Sequence, residues 1–136
     1  MKYKASFFIL ILFITSCGYK NTRTNEVSFL PSELNNIRQL QDNKEVSVRG
    51  YLIHEPENYS VWDSRKAMKS GNVEKCISLL YASNVQSKII HANRKYVYLT
   101  GVFKQNVIKE NKVYLGLCNS TGIQVTDVLK SKKSPE

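Results

Sequence analysis

The sequence predicts a small, mainly β domain with two short helices. Three observations carry this. Short runs between residues 45 and 129 alternate apolar and polar side chains, the period of half-buried strands. Gly50 and Gly101 interrupt the apolar side of the first and fourth runs, marking bends or close backbone approach. Between the third and fourth runs, Val85 and Ile89 stand four apart, which is helical spacing.

Along the chain, residues 31–41 come first. Leu34, Ile37 and Leu40 recur every three residues, Pro31 and Glu33 suit a helix start, and Asp42-Asn43 suit its end. This is a short amphipathic helix. In residues 45–53, Val46, Val48 and Leu52 point one way, and Ser47, Arg49 and Tyr51 the other. Residues 54–58 contain Pro56 and read as a turn, and residues 59–64 as a second, short strand. Residues 65–72 are polar and contain Gly71, so they read as loop. Residues 76–81 form the third strand, with Ile77, Leu79 and Tyr81 on one side. A helical segment over residues 84–90 precedes the strongest strand, residues 95–104. There Val97, Leu99 and Phe103 alternate with Tyr96, Tyr98 and Thr100. A polar turn over residues 106–111 leads into an extended stretch over 112–117. Residues 122–129 form the last strand, with Ile123 and Val125 inward.

The order is three strands, a helix, then two strands, with glycines bending the first and fourth. It resembles the oligonucleotide/oligosaccharide-binding (OB) fold, a five-stranded Greek-key barrel. The expected class is therefore a mainly β, small five-stranded OB-like barrel. One short helix lies between strands three and four, and another at the N-terminal side. The resemblance covers roughly residues 45–129 and rests on order and bends, with a small two-sheet sandwich as the rival architecture. It implies that the third and fifth strands lie side by side and parallel.

Residues 1–17 are an address. Lys2 and Lys4 precede an unbroken apolar run, residues 7–14, too short for the about 20 residues of a bilayer span. Ile14-Thr15-Ser16-Cys17 then resembles the lipobox of bacterial lipoproteins. The resemblance implies cleavage before Cys17, lipid on its sulfur (a diacylglyceryl and fatty-acyl, palmitate-like anchor) and acylation of the new amino terminus. It also implies a cell-envelope location outside the cytoplasm. Gly18 stands where related lipoproteins of double-membraned bacteria carry an Asp that retains them at the inner membrane, which favours the outer membrane. The expected organisation is a signal peptide over 1–16, lipidated Cys17 and a tether over 17–27, the barrel domain over 28–129, and a flexible basic tail over 130–136.

Composition excludes several classes. With 42% hydrophobic and 23% charged residues the chain is neither disordered, collagenous, coiled-coil nor a multi-span membrane protein. Losing Lys2 and Lys4 takes two of the 20 cations, so the formal charge of +9 becomes +7. The charge is spread thinly, with no run longer than Lys132-Lys133, which fits anionic lipid headgroups or glycans better than a nucleic-acid groove. Once Cys17 carries lipid, Cys76 and Cys118 remain. An even pair in a small extracytoplasmic domain points to a disulfide. The OB resemblance implies that both thiols sit at one end of adjacent parallel strands. Two cysteines without a close His do not complete a metal set.

Enzyme signatures are missing. His54, Glu55 and Glu57 surround a Pro turn that splays them apart, so they read as solvated loop. His91 ends the predicted helix at the surface. Ser64, Ser70 and Ser78 lack the Gly-x-Ser-x-Gly elbow, and no phosphate-cradling loop or dinucleotide fingerprint appears. The expectation is a non-catalytic protein without cofactor or metal. The better functional material is aromatic and basic: Arg49, Tyr51, Trp62, Tyr96 and Tyr98 fall on or near strands and form the candidate ligand face. Two function classes follow. The first is a membrane-anchored envelope lipoprotein that binds another envelope component. The second is a barrel that holds single-stranded nucleic acid or oligosaccharide on its aromatic face, with nucleic acid disfavoured by the compartment.

Overall fold

The computed structural model describes residues 27–37, 42–107 and 118–130. The signal peptide, Cys17 and most of its tether, Leu40, the extended stretch over 112–117 and residues 131–136 lie outside the described residues.

The described chain folds as β1 (Ser28–Phe29), α1 (Pro31–Asn36), β2 (Glu45–Glu55), β3 (Asn58–Trp62), α2 (Arg65–Ser70), a 3-10 turn (Val73–Lys75), β4 (Cys76–Tyr81), α3 (Ser83–Ala92), β5 (Tyr96–Lys104) and β6 (Gly122–Lys130). The strands form one six-stranded mixed sheet. β2 is long because it serves two partners. Glu45 to Tyr51 pair antiparallel with β5, and Tyr51 to Glu55 pair antiparallel with β3. β3 pairs with β4, β4 runs parallel to β6, and β6 returns antiparallel to β5. The pairings thus close a circuit, β2-β3-β4-β6-β5-β2, with β1 added parallel to β2.

Gly50 sits where β2 changes partners. A Cβ there would lie 2.4 Å from the carbonyl oxygen of Trp62, so only glycine lets the two strands cross this closely. Inside the circuit lies the main core: Val48, Leu52, Val61, Ile77, Val97, Leu99 and Ile123 are all fully buried. α3 closes it with Val85, Ile89 and Ala92, and α1 adds Leu34. This is the alternation expected from the sequence, expressed as burial.

Five expectations are corrected. The first helix, expected over residues 31–41, ends at Asn36, with Ile37 extended at ψ 91°. Residues 65–72 are not loop. Ser64 Oγ accepts from the Ala67 N–H at 3.1 Å and caps α2, which Gly71 ends in the left-handed region at φ 65°. A 3-10 turn follows, capped by Asn72. His54 and Glu55 are not in a turn but continue β2, paired with Tyr59 and Asn58. Ser28 and Phe29 form a short strand where tether and domain were expected to meet. The second strand ends at Trp62, releasing Ser64 for its cap.

Candidate ligand face

Strand alternation and register decide which predicted residues meet. Arg49 and Tyr51 point out of β2; across β5 they face Tyr98 and Tyr96 respectively. Tyr98 in turn faces Leu129 on β6. Four of the five predicted residues therefore share one outer strip. Its exposed part is Tyr98, 41% accessible, beside Leu129 at 58%. Tyr96 is buried, and burial raises its phenol above its ordinary value while the Arg49 charge pulls the other way. Arg49 is partly occupied: it donates to the Ser28 carbonyl and, at 3.1 Å, to Ser28 Oγ, fastening β1. Glu33 stands 3.9 Å away as a loose ion-pair partner.

Trp62 does not display its ring. By register it lies opposite Tyr51, yet it is only 1% exposed. A second, smaller apolar cluster covers it: Ile53, Ala67 of α2, Cys76 and Cys118, with Tyr51 and Met68 against its rim. Trp62 Nε1–H donates to Ser60 Oγ at 2.8 Å, satisfying the indole inside. α2 is the lid, and the sequence reading contained no lid. Cys76 and Cys118 are joined by a disulfide with Cα atoms 5.5 Å apart, close to the start of the parallel strands β4 and β6.

A second aromatic group escaped the sequence reading. His54 Nε2 and Tyr81 Oη lie 2.6 Å apart, and the Tyr59 ring centroid is 4.9 Å from that of His54 and 6.1 Å from that of Tyr81. Three strands bring them together over the edge of the main core. Burial raises Tyr81 above its ordinary value, with Tyr59 adding to the effect. The signal was available: once His54 is placed on β2, it has the same parity as Leu52.

His91 and Ser70 have local structural partners, whereas Ser78 Oγ is buried without a hydrogen-bond partner among the described residues. His91 is exposed, with Nδ1 2.7 Å from the Ser87 carbonyl on its own helix. Ser70 Oγ donates to the Ala67 carbonyl, and Ser78 is buried. Among the described residues no three His, Cys, Asp or Glu side chains gather as a metal site, and no helix is long and apolar enough to cross a membrane. The chain matches no protein-family model, no curated protein and no solved structure.

Proposed function

We propose that this protein is a lipid-anchored module of the bacterial cell envelope, facing outside the cytoplasm, and that its OB-like barrel binds another envelope component without catalysing a reaction. The observation that carries the reading is the combination of a lipobox-like motif, Ile14 to Cys17, with a disulfide between the only two other cysteines. Disulfides persist in oxidising compartments, and the motif sends the chain to one. The circuit of pairings supports the OB-like part. β2, β3, β4, β5 and β6 stand as strands one to five, with one and four paired, three and five parallel, and α3 between three and four. Gly18 after the lipobox favours the outer membrane where the cell has one.

A second reading has its own observation. The strip of Arg49, Tyr51 and Tyr98 offers a partly exposed aromatic and basic surface of the kind that holds sugars or single-stranded nucleic acid. The proposed compartment favours sugars.

The anchor is tested by detergent phase partitioning and palmitate labelling of the full chain in a bacterial host. Wild type is expected in the detergent phase with label, and Cys17→Ala in the aqueous phase or uncleaved, without label. A Cys17→Ala protein that still partitions with detergent and carries label would overturn the anchor.

A further inference from the structure

The outer side of the β2–β3 hairpin carries a recess of about 180 Å³. Its walls include Tyr51 and Glu55 of β2, Asn58 of β3, Arg65 and Lys69 of α2, and Arg94 just before β5. Glu55 is engaged, since its Oε1 accepts from Arg94 at 2.6 and 2.7 Å. Arg65 and Lys69 have no ion-pair partner among the described residues. Arg65 does not favour the helix, whereas Lys69, in its last turn, suits the helix dipole. The two cations stand four apart, where like charges repel, and Arg65 opens a helix whose first turn holds no acid. Asn58 Oδ1 accepts from Ser60 Oγ, which leaves the amide N–H groups of Asn58 as donors. The recess is therefore rich in donors, positive, and bounded on one side by an aromatic ring.

We infer that this recess binds the oxyanion of an acidic sugar, a carboxylate or phosphate ester carried on a pyranose ring. Arg65 and Lys69 hold the anion beside the Arg94–Glu55 pair, Asn58 donates to it or to a neighbouring hydroxyl, and Tyr51 walls the ring. The inference rests on the reading of the domain as a binding module and adds the ligand's charge, its class and its seat. A polynucleotide needs a row of cations following successive phosphates. Here two cations unpaired among the described residues, Arg65 and Lys69, converge on one small recess, which fits a single anionic group.

The test uses the full chain in uncharged detergent. Trp62, the only tryptophan, packs in the same cluster as Tyr51 and Met68, so its fluorescence reports on the recess, and calorimetry provides a second readout. The probes are tetragalacturonate, glucose 6-phosphate, neutral maltotetraose, inorganic phosphate and an eight-nucleotide oligo-dT. At least one acidic sugar is expected to bind in a salt-sensitive way, tenfold or more tighter than maltotetraose and tighter than inorganic phosphate. Which of the two binds tighter identifies the carboxylate or the phosphate as the natural group. The double variant Arg65→Gln/Lys69→Gln is expected to lose tenfold or more in affinity with a melting temperature close to that of wild type. Unchanged affinity in that variant, or equal binding of maltotetraose, overturns the recess while leaving a sugar-binding module. Inorganic phosphate binding as tightly as the acidic sugars overturns the role of the ring, and oligo-dT binding tighter than every sugar overturns the glycan assignment. A wild type that binds none of the probes overturns the direct ligand-binding reading together with the recess.

Discussion

Asn35 joins four pieces of chain. Its Nδ2 donates to the carbonyls of Glu74 and Cys76 at 2.9 and 3.0 Å, and its Oδ1 accepts from Thr121 Oγ1 at 2.6 Å. It so fastens α1 to the 3-10 turn, to the start of β4 and to the approach of β6. Asn35→Ala leaves part-buried groups unpaired and is expected to cost about 1–3 kcal/mol in urea unfolding. Nothing local distinguished this asparagine from any polar residue on an amphipathic helix. Gly50 was legible, because a glycine on the apolar side of a strand announces close approach. Gly50→Ala would set a Cβ against the Trp62 carbonyl and is expected to cost about 2–3 kcal/mol, the upper part of the overpacking range, read by the same unfolding experiment. Two phenols carry a pH signature. Tyr81 and Tyr96 titrate above the ordinary value of 10.0 because burial disfavours their charged forms. Folded-state pKa values raised in this way contribute stability that is complete below about pH 10 and lost as pH rises through the folded values. Stability is therefore expected to fall above pH 10. In an absorbance titration at 295 nm these two tyrosines should ionise above the ordinary value of 10.0. Ionisation of both at or below 10.0 would contradict the burial.

Among the elements, α2 decides what the outer face can do. Six residues with one buried alanine give no apolar stripe, and a helix this short is stable only where it packs. That is why residues 65–72 read as loop. Ser64 and Gly71 are start and stop signals, but Ser64 also continues the alternation of residues 59–64, and Gly71 in a polar stretch equally suits a loop. Ser64→Ala removes the cap and is expected to cost about 1 kcal/mol. Because α2 covers Trp62, the loosened lid should also shift the tryptophan emission to longer wavelength. An unchanged spectrum would mean that α2 does not need its cap to stay seated. β4 is the opposite case: the sequence places a strand at Cys76–Tyr81, its observed bounds, since a run of mostly apolar residues is a local property.

At the scale of the whole molecule, the disulfide and the circuit of pairings support one another. The cystine links residues 42 apart in sequence, across the beginnings of the parallel pair β4 and β6. Closing a loop of that length is worth about 4 kcal/mol in the chain-entropy model, less any strain. Reduction, or the double variant Cys76→Ala/Cys118→Ala, is expected to lower the melting temperature by about 10 °C or more. It should also loosen the cluster around Trp62, which contains both sulfurs. Equal melting curves with and without reductant would show that the bridge adds no stability.

The sequence by itself determined the five main strand segments, which side of the first and fourth faces inward, and that Arg49 and Tyr51 lie opposite the apolar side of one and Tyr96 and Tyr98 opposite that of the other. All of these follow from a period of two read over a few residues. Tertiary structure alone decided that β2 divides between β5 and β3, and that Trp62 lies under α2. It also assembled the two groupings the sequence did not show, His54 with Tyr59 and Tyr81, and Arg65 and Lys69 with Arg94. Each depends on contacts between residues far apart along the chain. Periodicity reports the solvent on either side of a segment. It carries no record of which other segment supplies the cover, because that choice is made by packing the whole core at once.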